Sequence, residues 1–180
     1  MIESTFQLSC GVGPWRERQL WAGGVTRWRE LLARGGGLSP RLDAALVPAV
    51  SRAREALDAG DAALLSSMVP ARERWRLYPS FAGEAGFLDV ETDGGDVVTA
   101  VGILDREGPR IFVRGRDLEA FPSATARWKL VVTYNGASFD LPMLRRAFPD
   151  WRPPPAHVDL RHVWARLGHH GGLKILEERV

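Results

Sequence analysis

Apolar positions recur along this chain in two rhythms, and the change comes at Gly86. In the first half the spacing is helical. Pro14 suits the first turn of a helix, where its missing N–H costs nothing, and Gly23 or Gly24 can end that helix in a left-handed cap. Thr26 is expected to cap a second short helix whose apolar side is Trp28, Leu31 and Leu32, so the stretch reads as two helices joined by a tight glycine turn. Gly35-Gly36-Gly37 and Ser39-Pro40 mark a loop. Within residues 43–65, Leu46, Val50, Ala53 and Leu57 fall on one side of an amphipathic helix, broken near Gly60. A further helix over 61–68 must stop before Val69-Pro70, because the residue before proline avoids the helical region. Residues 73–79 then lead into a second domain, with the boundary expected near residue 82.

From Gly86 the blocks are shorter and strand-like. Residues 87–92, 97–104 and 110–114 read as three strands, the first two joined by an Asp93-Gly94-Gly95-Asp96 hairpin turn. A helix (117–127), a buried strand (130–134), a helix (138–148), a short strand (157–158) and a helix (160–167) follow. Three antiparallel strands and then alternating helices and strands predict an α/β domain at 83–180, a ribonuclease H-like mixed sheet flanked by helices, preceded by a small all-helical segment at 1–82.

Composition adds limits. The 180 residues are 45% hydrophobic and 26% charged, the range of a folded globular chain with room for one domain and a smaller partner. No stretch reads as a membrane span or signal peptide, and the lone Cys10 has no disulfide partner, so a cytoplasmic protein without membrane association is expected. Residues 1–85 carry 11 basic and 9 acidic groups and residues 86–180 carry 13 of each, so neither half concentrates positive charge. The cations are nearly all arginine, whose planar fork suits phosphate.

The candidate chemistry is acidic. Asp89 and Glu91, one residue apart on a strand, point to the same face. Two such anions repel unless a proton or a hard divalent cation lies between them. By itself the pair reads more simply as an ordinary exposed acidic pair on a strand edge. Further on, the run Val131-Val132-Thr133-Tyr134-Asn135-Gly136-Ala137-Ser138-Phe139-Asp140 takes a buried strand through a glycine turn into a helix whose first turn presents Asp140. An acid there also suits the helix dipole, and Asn135 alone would be a turn residue.

Asp89-Val90-Glu91-Thr92 and Asn135-Gly136-Ala137-Ser138-Phe139-Asp140, in this order and on these elements, resemble the first two motifs of the DnaQ-like (DEDD) 3'-5' exonuclease superfamily. The form Tyr134-Asn135-Gly136 through Pro142-Met143-Leu144, with His157-Val158-Asp159-Leu160-Arg161-His162, looks most like the YprB-type ribonuclease H-like group. That resemblance implies a metal-dependent nuclease, a 3'-5' exonuclease acting on the single-stranded 3' end of DNA or RNA with two Mg²⁺ or Mn²⁺ ions about 4 Å apart. It also implies roles. Asp89 would bridge both ions, Glu91 would bind the ion beside the attacking water, and Asp140 would support the second ion directly or through water. Thr92 would lie beside the terminal nucleotide, while Asn135 by hydrogen bond and Phe139 by packing would hold the second motif in shape.

Two departures from the family pattern stand out. Asp93-Gly94-Gly95 replaces the usual Thr-Gly-Leu, and the third motif, a His or Tyr four residues before a last Asp, belongs beyond Asp159 in a chain that ends at Val180. The domain is therefore expected to be incomplete and weakly active, with apolar residues such as Val101 and Val131 uncovered and a homodimer possible. A nucleic-acid-binding module with a degenerate site is the alternative function. Asp159 is the nearest substitute ligand or else a helix N-cap, and His157, His162, His169 and His170 form a weaker zinc reading. The Gly11-Val12-Gly13 segment is similar to part of a helix-hairpin-helix, which implies a phosphate clamp; a purely structural bundle is the other reading. The seven tryptophans could stack on bases, but most fall on apolar helix faces and are expected in the core.

Overall fold

The computed structural model describes residues 1–169 and 171–173. The chain divides into two compact units, Met1–Ser80 and Phe81–Val180. Among the described residues, no helix is long and apolar enough to cross a membrane.

The first unit is helical: α1 (Pro14–Ala22), α2 (Trp28–Arg34), α3 (Pro40–Asp58) and α4 (Ala62–Met68), with α5 (Tyr78–Phe81) at the junction. Gly13 is the N-cap of α1 and Pro14 its first residue. Thr26 does not cap α2. The cap position is Arg27, and the Glu30 carboxylate reaches back to the amides of Arg27 at 2.9 Å and Thr26. Helix α3 begins earlier than the apolar spacing suggested, because Ser39-Pro40 is a helix start rather than the end of a loop; Asp43 then takes the amides of Gly37 and Leu38, both at 3.1 Å. The stretch expected to be a connector folds instead as a 3-10 helix, Ala71–Leu77. Its Arg76 lies buried between Glu73 (2.8 Å) and Glu17 (3.7 Å), and Glu17 also accepts from Thr5, Phe6 and Gln7.

The second unit is a five-stranded sheet flanked by helices: β1 (Ala85–Thr92), β2 (Val98–Asp105), β3 (Gly108–Val113), α6 (Phe121–Thr125), β4 (Leu130–Thr133), α7 (Asp140–Ala147), β5 (Ala156–Asp159) and α8 (Leu160–Arg166). The sheet order is β3-β2-β1-β4-β5, antiparallel from β3 to β1 and parallel from β1 to β5. This is the ribonuclease H-like mixed α/β architecture that the element order predicts. The predicted helix over 117–127 is shorter, a 3-10 turn running into α6.

Strand register decides which side chains are covered. Leu88, Val90, Val101, Ile103, Phe112 and Val131 share a core with Phe121, Leu141, Leu144 and Trp151. Val101 and Val131, expected to be uncovered, are fully buried because their parity turns them into this core. The opposite parity puts Phe87 across from Leu104, and Gly102 across from Ile111. Phe87, Leu104 and Ile111 are the exposed apolar residues of that face, Ile111 at 63%. They border a trough of about 330 Å³ that also meets Asp89, Gly102 and Tyr134.

Close packing explains one glycine on β1. A Cβ at Gly86 would fall 2.1 Å from the Trp128 ring, and Trp128 is itself buried with its Nε1–H donating to Asp105 at 3.0 Å. Gly86→Ala should therefore destabilise the sheet unit by roughly 1–3 kcal/mol, the usual cost of forcing an atom into a packed core. Urea unfolding will read this, and an unchanged midpoint would mean that Trp128 does not press on the strand.

Candidate active site

On β1 the side chains of Phe87, Asp89 and Glu91 are exposed, while Leu88 and Val90 turn into the core. The two acids thus share a face, as their spacing requires. Parallel pairing of β1 with β4 ends at Phe87 and Val132, so the stretch of β1 that carries Asp89 and Glu91 continues past its neighbour. Thr92 lies half-buried at an irregularity in the pairing with β2, and its hydroxyl accepts weakly from the Gly94 amide at 3.4 Å.

The chain leaves β4 at Thr133 and returns as α7 after a six-residue loop, residues 134–139. Two local features shape that loop. Asn135 has φ +63°, and among the described residues it is the only non-glycine with positive φ. A Cβ at Gly136 would meet Thr133 Oγ1 at 2.2 Å, and the Gly136 amide donates to that oxygen at 3.1 Å. The Asn135 side-chain oxygen accepts from Arg161 at 2.6 Å. Phe139, expected to hold the motif by packing, is 40% exposed. It occupies the N-cap position of α7, and its backbone carbonyl accepts from Met143 at 3.0 Å.

Asp140, the first residue of α7, is only 3% exposed, and its Oδ1 has no hydrogen-bond partner. Burial pushes its carboxyl up to about 6. Hydrogen bonds from its own amide and from the Val90 backbone oppose that shift, whereas repulsion from Asp89 and then Asp159 adds to it. The structure therefore brings Asp140 to β1 beside Asp89, with Asp159 close enough to be felt. Glu91 stays exposed on the Asp89 face.

Asp159 is the N-cap of α8, accepting from the Arg161 amide at 3.0 Å. Its two oxygens also take the amides of Asn135 (2.8 Å) and Ala137 (3.2 Å). A carboxylate so engaged is a poor replacement metal ligand. Sequence reasoning reached the cap but missed the loop contacts, which no local pattern signals. Among the described residues the histidines do not gather either. His157 shares a hydrogen bond with Thr133 at 2.8 Å, His162 is exposed, His169 lies edge-on to Trp164, and His170 falls outside the described residues. Of the tryptophans, Trp28, Trp128 and Trp151 are buried, but Trp15 is 62% exposed.

These donors suit a hard divalent cation in kind. All are carboxylate oxygens, one of them is buried and unpartnered, and an ion would relieve the repulsion between Asp89 and Asp140. Among the described residues, however, no three His, Cys, Asp or Glu side chains are gathered closely enough to hold an ion as they stand.

A family model described as the RNase_H superfamily matches residues 86–180, just over half of the chain. No curated protein and no solved structure matches it.

The raised Asp140 pKa makes a stability prediction. The folded protein holds this proton more tightly than the unfolded chain, so ionising Asp140 costs stability. The cost is absent below the ordinary value of 3.8, grows as pH rises towards about 6, and is complete above it at roughly 3 kcal/mol. In chelator, the stability of Asp140→Asn relative to the parent should therefore climb by about that much between about pH 4 and pH 7. A flat difference across that range in urea titrations would show that Asp140 is not desolvated.

Proposed function

Since this chain belongs to the ribonuclease H superfamily, we propose that its sheet unit is a metal-dependent nuclease that hydrolyses phosphodiesters at the 3' end of a nucleic-acid strand. The observation that carries the proposal is the buried Asp140 carboxylate, with an unpartnered oxygen, set against Asp89. A fold rarely keeps an uncompensated buried acid next to a second one, and a cation is the simplest compensation. Asp89 and Asp140 would hold Mg²⁺ or Mn²⁺, with Glu91 reaching from the same strand face. When bound, such ions lower the pKa of a water and stabilise the leaving oxyanion.

The protein's own groups have distinct parts in this proposal. Asp89 and Glu91, exposed on β1, are open to a phosphate carried in with its metal. Asp140 anchors the site from the start of α7, where the helix dipole favours its negative charge. Thr92 would border the terminal nucleotide and Asn135 would keep the loop in register through its contact with Arg161. In the helical unit, the exposed side of α1 carries Trp15, Arg18 and Gln19 at helical spacing. We propose that this side holds single-stranded nucleic acid by stacking and charge.

A second reading has its own support. With Asp140 buried and no three ligands gathered among the described residues, the unit could bind nucleic acid without cutting it.

One assay separates the two. A single-stranded oligonucleotide labelled for 3'-end loss is incubated with the full chain and Mn²⁺, beside Asp89→Ala. The nuclease reading expects metal-dependent shortening that falls at least about a hundredfold in Asp89→Ala. Binding without shortening supports the second reading, and shortening indifferent to Asp89 sinks the assignment of the site. In the same binding assay Trp15→Ala should weaken oligonucleotide affinity about 5- to 160-fold, the range for loss of one base–aromatic stack; undiminished affinity would remove α1 from the interface.

A further inference from the structure

The loop that delivers Asp140 is held from outside its own sequence. Two residues of β5, His157 and Asp159, lie one apart on the strand and so share a side. Asp159 engages this loop directly and His157 through Thr133 at the end of β4. Asp159 takes the Asn135 amide at 2.8 Å and the Ala137 amide at 3.2 Å, and it is only 7% exposed. His157 Nε2 meets Thr133 Oγ1 at 2.8 Å, and that same hydroxyl accepts from the intervening Gly136 amide at 3.1 Å. Three consecutive loop amides are thus satisfied by side chains from β4 and β5.

From there the contacts run to the helix. The Asn135 carbonyl accepts from Ser138 at 3.1 Å, and the Gly136 carbonyl accepts from Leu141, the second residue of α7, at 3.0 Å. On the far side, Asp159 caps α8 through the Arg161 amide, and the Arg161 guanidinium returns to the Asn135 side chain. A backbone whose alternate amides converge on one point forms a concavity for an anion. Here the anion is a side chain of the protein. Asn135 at positive φ is strained relative to an ordinary extended or helical residue, so the loop needs such an anchor to stay in this form.

We infer that Asp159 is a positioning residue: its carboxylate fixes the loop and thereby the start of α7, which carries the buried Asp140. It is neither a fourth metal ligand nor only a helix cap. The consequence for metal binding rests on the nuclease reading, while the positioning itself does not.

The test uses the full chain and two substitutions. Asp159→Asn keeps one acceptor oxygen but turns an NH2 group towards an amide. Thr133→Val keeps shape and removes the acceptor for Gly136. Amide hydrogen exchange is followed at Asn135, Gly136, Ala137 and Leu141, with Leu88 and Val101 as core controls, and Mn²⁺ affinity is measured by calorimetry beside Asp89→Ala. Both variants should speed exchange at the loop and α7 start while leaving the core controls protected. Both should weaken Asp89-dependent Mn²⁺ binding about 10- to 100-fold, the usual cost of losing a group that orients a ligand. Loop exchange and Mn²⁺ affinity unchanged in the variants would overturn the inference. If the parent shows no Asp89-dependent Mn²⁺ binding, the metal reading fails and exchange alone decides on positioning. Should Asp159→Asn fail to fold, Thr133→Val is judged by the same two readouts.

Discussion

Parallel pairing between β1 and β4 spans three residue pairs, from Ala85–Leu130 to Phe87–Val132, and the site depends on where it stops. Up to that point the two strands satisfy one another's backbone groups and bury Val131 in the core. Beyond it β1 runs on alone on that side, and the chain from β4 turns away into the loop that starts α7. Asp140 is buried at the start of that helix, where its carboxylate takes a hydrogen bond from the Val90 backbone. A hydrophobic residue could fill the space but could not accept from that backbone. An acid can, at the cost of burying charge beside Asp89.

The sheet's two faces set how that cost is carried. One face is a continuous apolar core from Leu88 to Trp151, with Phe121 packed against Phe112, Phe148 and Trp151. Its burial supplies the stability against which an unfavourable carboxylate can be tolerated. The other face carries the acids of β1 and the apolar trough around Phe87 and Ile111. Alternation along β1 therefore separates core positions from exposed acids residue by residue. Leu88 and Val90 hold the strand, while Asp89 and Glu91 are presented from it.

The helical unit solves a different charge problem. Glu17 and Glu73 are both buried, and Arg76 between them lies over the Trp21 and Trp75 rings at 5.7 and 5.0 Å. Here the charges are compensated within the protein by an ion pair, by hydrogen bonds from residues 5–7 and by aromatic faces. Removal of any one partner would strand the others, which suits a fixed scaffold. The contrast is with Asp140, whose Oδ1 is buried and left without a hydrogen-bond partner.

Sequence alone determined the element order, the sheet class and the shared face of Asp89 and Glu91, because alternation and helical spacing are local properties of the chain. It also placed Asp140 at a helix start, since an acid after a glycine turn has few other roles. Local pattern could not tell Val101 and Val131 from Phe87 and Ile111, all apolar residues on strands. Only register and helix cover decide which parity is buried. The resemblance assigned Phe139 a packing role, and the structure leaves that side chain 40% exposed. Nor could local pattern show that Arg76 belongs to Glu17, 59 residues away, or that Asp159 holds the amides of Asn135 and Ala137. Those contacts join segments that are distant in the chain and adjacent only once β5 has paired with β4. Desolvation of Asp140 is of the same kind: a pKa depends on what surrounds a group in space, and only the folded chain supplies those surroundings.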